Sequence, residues 1–232
     1  MSRLTDVVLQ FDLAGQIDSI KPLGNGLIND TYKVETVGGP SYVLQRINHN
    51  IFKDVELLQN NIVSVTSHIR RKLEAAGASD VDRKVLTFIP LKDSDQTYFF
   101  DGESYWRVSL FIEDAFTYET VDPEYSYYAG RSFGHFEAML ADIPDTLGET
   151  IPDFHNTPVR YETFLRAVEA DICGRRESVA EEIDFFIRHK EDMELCANEL
   201  KAGRLPLRVT HNDTKLNNIL LDNATGKGIC VI

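Results

Sequence analysis

Apolar positions in the first 113 residues switch repeatedly between the two-residue period of a strand and the 3.6-residue period of a helix. Leu4, Val7, Val8 and Phe11 fall on one side of an amphipathic helix expected over 4–14. Strands are expected at 17–23, 31–36 and 41–47, punctuated by Gly24-Asn25-Gly26 and by Gly38-Gly39-Pro40. Val55, Leu58, Ile62, Val65, Ile69 and Leu73 then recur at three- and four-residue steps, predicting a helix over 54–75 that Ala75-Ala76-Gly77-Ala78 closes. A strand over 84–89 follows, then a hairpin pairing 96–100 with 105–112 through Asp101-Gly102-Glu103. In its second arm Trp106 alternates with Val108 and reads as core.

Beyond Glu113 the pattern turns helical. Helices are expected over 123–141, 161–173 and 177–200, with Gly203 ending the last. Short apolar strands at 205–210 and 219–221 flank a polar segment. The chain closes on Asn223-Ala224-Thr225-Gly226-Lys227-Gly228 and the apolar run 229–232. No internal repeat is found. An apolar strand at the very terminus leads to the expectation that the sequence is a fragment.

Composition narrows the function classes. The 232 residues carry 24 Lys or Arg against 37 Asp or Glu, a net charge of −13, with 43% hydrophobic positions and 26% charged ones. That balance is globular rather than disordered. An acidic chain of pI near 4.9 is a poor partner for nucleic-acid phosphates. No run reaches the roughly 20 apolar residues of a membrane span, and Asp6 and Asp12 break any secretory centre at the N-terminus. Three widely spaced cysteines, Cys173, Cys196 and Cys230, make neither a disulfide framework nor a CxxC metal site, and point to a reducing cytoplasm. Residues 1–113 hold 12 basic and 15 acidic side chains, near −3, while 114–232 hold 12 and 22, near −10. Solvated helices account for that excess; an acidic cleft for a cationic substrate is the other reading.

The polar segment carries the chemistry. His211-Asn212-Asp213-Thr214-Lys215-Leu216-Asn217-Asn218 has the form H-x-D-x-K-x-x-N. Phosphoryl transfer requires a carboxylate to orient the attacking hydroxyl, an oxygen ligand for Mg²⁺ and a cation near the moving phosphoryl group. Asp213, Asn218 and Lys215 offer those three groups on one short loop. Six His, 20 Asp and 12 Asn in 232 positions give H-x-D-x-x-x-x-N about 0.03 times by chance, so the match is specific. The alternative is a loop whose Asp and Asn merely cap turns.

Gly24, Asn25, Gly26 and Asn29 form a second candidate, where backbone amides can approach an anion. A dinucleotide-binding βα turn is disfavoured, since Asn29 fills the third glycine position and a strand follows. No Gly-Lys-Ser/Thr of a Walker loop appears. A glycine-rich hairpin lid remains. In Tyr42-Val43-Leu44-Gln45-Arg46-Ile47-Asn48, alternation puts Val43 and Gln45 on one face and Leu44 and Arg46 on the other. If Val43 roofs the adenine, Gln45 stands where a kinase strand presents its cation. Either the register slips and Arg46 serves, or Gln45 makes neutral contacts and another cation supplies the charge. Glu56 is the nearest helix acid.

The loop HNDTKLNN resembles the motif of the aminoglycoside phosphotransferase and choline kinase-like superfamily, which has a protein-kinase-like fold. Together, GNGLINDTYKV, YVLQRIN and VTHNDTKLNNILLD are similar to its N-acetylhexosamine kinase branch. The resemblance implies an α+β, two-lobed fold: an antiparallel-sheet nucleotide-binding lobe over 1–113, and a mostly helical, partial lobe over 114–232 with the catalytic loop at 211–218. It implies ATP and Mg²⁺, adenine at the hinge near Phe111, Ile112 and Glu113, Asp213 as catalytic base and Asn218 as metal ligand. Lys215 stands where Ser/Thr protein kinases have their loop lysine. The family's main metal Asp is expected beyond Ile232, so this chain alone is expected to be inactive.

The function expected is transfer of the ATP γ-phosphate to a hydroxyl of a sugar, an N-acetylhexosamine first, with an aminoglycoside, choline or other amine as the alternative acceptor. A catalytically dead nucleotide-binding module is the reading from another class, raised by Gln45 and by the missing metal Asp. His155 and Asn156 serve either as acceptor contacts or as a cap for the helix that follows. No nucleic-acid or membrane partner is expected.

Overall fold

The computed structural model describes residues 3–24, 29–120 and 122–232. Two compact units form: Met1–Thr150 with Val209–Ile232, and Ile151–Arg208. Compactness thus divides the chain after 150 and after 208, whereas the sequence leads to the expectation of a lobe boundary at 113.

The first unit opens with helix α1 (Arg3–Val8), then strands β1 (Gln16–Pro22), β2 (Asp30–Val37) and β3 (Tyr42–Ile47). Helix α2 (Val55–Ala75) and the single turn α3 (Val81–Lys84) lead to β4 (Phe99–Phe100) and β5 (Tyr105–Leu110). The strands make one antiparallel sheet in the order β1-β2-β3-β5-β4. Its inner face is apolar: Val34, Tyr42, Leu44, Trp106 and Val108 pack with Val7, Val8 and Phe11. Alternation then turns Val43, Gln45, Arg107 and Ser109 to the opposite face, and the register sets Gln45 directly across from Arg107.

Helix α2 begins at Asp54, whose carboxylate accepts the Leu57 N–H at 2.8 Å, a cap of about 1 kcal/mol. Gly77 ends it in the left-handed region at φ 68°. Ile69 packs with Val85 and, on helix α4 (Pro123–Met139), with Phe136. Short β6 (Ala115–Phe116) joins β7 (Ile219–Asp222) and β8 (Gly228–Val231) in a second antiparallel sheet. Phe133 of α4 packs on Ile219 and Leu221. An antiparallel sheet followed by a helical part with its own small sheet is the α+β, kinase-like architecture expected.

The second unit holds α5 (Thr157–Ala170), α6 (Ala180–Arg188) and α7 (Lys190–Lys201). Tyr161 is its buried anchor, and the rings of Phe164 and Phe186 meet at a tilt with centroids 5.5 Å apart.

Four expectations are corrected. The helix over 4–14 stops at Val8, because Phe11 bridges to Leu91 and lies fully buried. Residues 84–89 make no strand: Lys84 belongs to α3, and only Phe88 bridges β5. The helix over 177–200 breaks at His189, which closes α6 and opens α7 while its ring lies 4.4 Å from Phe185. The strand over 205–210 is absent, and Leu207 is 80% exposed. A strand needs a neighbouring ladder, and 205–210 has none among the described residues. No helix among those residues is long and apolar enough to cross a membrane.

Asp101 locks the β4–β5 turn. Its carboxylate accepts the Glu103 and Ser104 N–H groups, the Trp106 indole at 2.9 Å and Arg3 of α1 at 2.8 Å, and is 9% exposed. Burial by itself raises a carboxyl, but these donors outweigh it and hold Asp101 at about 2. A depressed pKa stabilises the fold above the unfolded value near 4 and loses that stability as pH falls toward 2. Asp101→Ala should therefore cost about 2 kcal/mol at pH 7 in urea unfolding, with the gap to wild type closing between about pH 4 and 2. A pH-independent gap would contradict this assignment.

Candidate active site

The loop between Thr210 and Ile219 holds its shape through its own polar groups. Asn212 sits at φ 66°, a left-handed conformation that Asn tolerates, with its side chain accepting the Thr210 hydroxyl at 2.7 Å. His211 is wedged against Phe133 and Phe136 of α4. Its Nδ1 accepts the Asp213 N–H at 3.3 Å, and its Nε2 lies 3.0 Å from the Ile232 carbonyl. One tautomer, with the proton on Nε2, satisfies both contacts.

The loop thus presents Asp213 outward. Asn218 Nδ2 donates to the Asp213 carboxylate at 2.9 Å and to its backbone carbonyl at 2.7 Å. Lys215 Nζ stands 3.2 Å from the same carboxylate oxygen. Burial alone would raise Asp213, but Asn218 and Lys215 more than offset it and hold the carboxylate below its ordinary range. The three predicted residues therefore stand together, with the Asp213 carboxylate ionised and a cation beside it. Asn218 Oδ1 has no protein donor among the described residues and is the oxygen left for a cation. No cluster of three His, Cys, Asp or Glu among them is placed to hold a metal. A Mg²⁺ bound here would take Asn218 Oδ1 together with phosphate and water oxygens, the coordination this ion favours.

The strand residues fall out differently. Asn25 and Gly26 lie outside the described residues. Gly24 has φ 69° and leads toward β2, and Asn29 Oδ1 accepts the Asn48 N–H at 2.8 Å, tying β2 to the end of β3. Val43 lies on β3 between Lys33 and Ser109. Arg46 ion-pairs with Asp30 at 2.5 Å, so it is spent on β2. Gln45 makes the neutral contacts: its Oε1 accepts two N–H groups of Arg107, at 2.9 and 2.5 Å, and its Nε2 donates to Thr31 at 3.1 Å. The helix partner is Gln59 of α2, not Glu56; its Oε1 accepts from Arg107 at 3.0 Å.

At the hinge, Phe111 donates its N–H to the Ser41 carbonyl and carries Lys33 Nζ 4.0 Å above its ring. Ile112 is buried, and Glu113 lies 3.6 Å from Lys33. Arg83 clamps the hinge to β7, donating to the Glu113 and Asp114 carbonyls and pairing with Asp222 at 3.0 Å. Asn156 caps α5 through Val159 N–H and donates to Asp153, and exposed His155 packs edge-on against Phe154.

Sequence reasoning missed Arg107, Gln59, Lys33 and Arg83. Arg107 was within reach of it: once Trp106 and Val108 are core, the next position must point to Gln45's face. A hollow of about 290 Å³ beside α4 and β8, lined by Ile69, Val85, Phe136 and Val231, contains none of the predicted site residues.

No family model matches the sequence. Among solved structures, the chain is similar to a spectinomycin phosphotransferase crystallised with ADP and spectinomycin. The TM-score is 0.54 at 12% identity, over 100% of this chain and 68% of that one. At that identity the likeness is one of fold.

The Asn218 hydrogen bond is one cause of Asp213's acidity, so Asn218→Ala should raise the pKa of Asp213. Following the Asp213 carboxyl carbon by NMR from pH 2 to 7 measures it. An unchanged titration midpoint would remove that bond from the electrostatics of the loop.

Proposed function

We propose that the protein is an ATP-dependent phosphotransferase that moves the γ-phosphate to a hydroxyl of a small molecule. The carrying observation is the loop in which Asp213, ionised and exposed, stands against Lys215 and Asn218. Asp213 would accept a hydrogen bond from the acceptor hydroxyl, align it, and take its proton as the new bond from the acceptor oxygen to the γ-phosphorus forms and the bond from that phosphorus to the β,γ-bridging oxygen breaks, releasing ADP. Lys215, already beside that carboxylate, would offset the charge gathering on the phosphoryl oxygens. Bound Mg²⁺ would neutralise phosphate charge at Asn218. Positioning and charge account for nearly all of the catalysis such a loop can supply. The lobe boundary at 113–114, with adenine against Phe111, Ile112 and Glu113, belongs to this proposal, as does a cytoplasmic setting.

The acceptor we favour is a sugar hydroxyl, an N-acetylhexosamine, on the strength of the motif resemblance. An aminoglycoside-type acceptor is the second reading. It is supported by the fold shared with a spectinomycin phosphotransferase and by the charge near −10 of residues 114–232.

In the full-length protein, Asp213→Asn should lower kcat by about 10²-fold or more with little change in nucleotide affinity. Retention of half the wild-type turnover would take Asp213 out of the mechanism. Coupled ADP-release assays with N-acetylglucosamine, N-acetylgalactosamine, choline and kanamycin separate the acceptors. A neutral sugar should show a KM independent of salt, whereas a cationic acceptor drawn by acidic groups should show KM rising with it. Turnover with the amines alone would overturn the sugar reading.

A further inference from the structure

The five strands of the main sheet carry four cationic side chains, and three have carboxylate partners: Lys21 with Glu35, Lys33 with Glu113, Arg46 with Asp30. Arg107 on β5 has none among the described residues. Its guanidinium is instead gripped by two neutral amides, Gln45 on β3 and Gln59 on α2, both presenting oxygen. Each amide is oriented from its far side. Gln45 Nε2 donates to Thr31 Oγ1 at 3.1 Å, and Gln59 Nε2 to Thr97 Oγ1 at 3.1 Å and to its carbonyl at 3.3 Å. Gln59 is 1% exposed, so its orientation is fixed by packing as well.

This arrangement is costly unless something completes it. A cation drawn out of water needs an anion or a full set of acceptors. A guanidinium has five N–H donors, and Arg107 commits three of them to amide oxygens. Burial lowers the guanidinium to about 10, yet it remains charged at neutral pH. Arg107 keeps some solvent access, and it lies across from Gln45, the position at which a kinase strand presents its phosphate-binding cation. The usual lysine and its helix glutamate are absent from this face. An arginine one strand over, held by two glutamines, stands in their place.

We infer that Arg107 is the cation that binds the α- and β-phosphates of the nucleotide, with Gln45 and Gln59 as positioning residues that hold its guanidinium fork in register. The inference rests on the phosphotransferase reading and names the residue that supplies the phosphate charge in it. An amide pair orients the guanidinium and leaves its charge undiminished, where the carboxylate of a kinase helix orients its lysine and offsets part of that charge. The two remaining N–H groups are left for phosphate oxygens, a fork geometry that arginine makes and lysine does not.

Calorimetric titration of ADP and of adenosine, both without Mg²⁺, tests this on the wild-type chain and on Arg107→Met. Wild type should bind ADP more tightly than adenosine. Arg107→Met should weaken ADP by about 10- to 100-fold and leave adenosine within about twofold. The double variant Gln45→Lys/Arg107→Met returns a cation to β3 and should recover part of the loss. An unchanged ratio of ADP to adenosine affinity in Arg107→Met overturns the inference, as does a wild type that binds both ligands equally. A wild type that binds neither ligand refutes the nucleotide reading itself. Should Arg107→Met lose its cooperative melt, the Arg107 side-chain N–H resonance of the wild type decides: ADP must shift it and adenosine must not, and equal responses overturn the inference.

Discussion

The guanidinium of Arg107 joins three elements that are distant in sequence. It reaches β3 through Gln45 and α2 through Gln59, and those amides in turn hold Thr31 on β2 and Thr97 before β4. One charge thereby fixes how the helix lies along the sheet. In a kinase, a strand lysine and a helix glutamate make that link and neutralise one another. Here two amides satisfy the geometry but not the charge, so the same group that organises the sheet's outer face keeps positive potential on it. Charged groups held this way are stable only because every amide dipole is itself anchored.

The loop at 211–218 works by the opposite logic. The Asp213 carboxylate is met by donors from Asn218 and from Lys215 and is driven toward ionisation. Aromatic packing of His211 on α4 and the antiparallel pairing of β7 with β8 supply the rigidity. Cys230, buried behind this sheet with its thiol pushed up to about 12, is held as an inert packing group. A cation with no carboxylate partner among the described residues and an ionised carboxylate are what a polyanionic donor and a hydroxyl acceptor require. Both lie in the same compact unit.

Much of this was readable in the chain. Period-two alternation gave β1, β2 and β3 within one residue at each end, and the three-four spacing gave α2 almost to the residue, because a one-sided core leaves little freedom. The loop residues were legible because their chemistry is local: Asp213, Lys215 and Asn218 lie within six positions. For Arg107 the face was legible, from the core positions Trp106 and Val108 on either side, but the partner was not, since which residue stands opposite it across β3 and β5 is a tertiary fact. Gln59 was hidden for a related reason. It lies on the buried side of α2 among apolar neighbours, where an apolar pattern search passes over a glutamine. The break at His189 and the missing strand at 205–210 show the limit of period alone. Apolar runs supply candidates, but capping and ladder partners decide.

A crystal structure of the protein with ADP addresses the central claim most directly. The account predicts diphosphate oxygens at about 3 Å from the terminal nitrogens of Arg107, with Gln45 and Gln59 still holding the guanidinium and the adenine against the hinge at Phe111 to Glu113. Diphosphate bound elsewhere, with Arg107 contacting only its two glutamines, would contradict it.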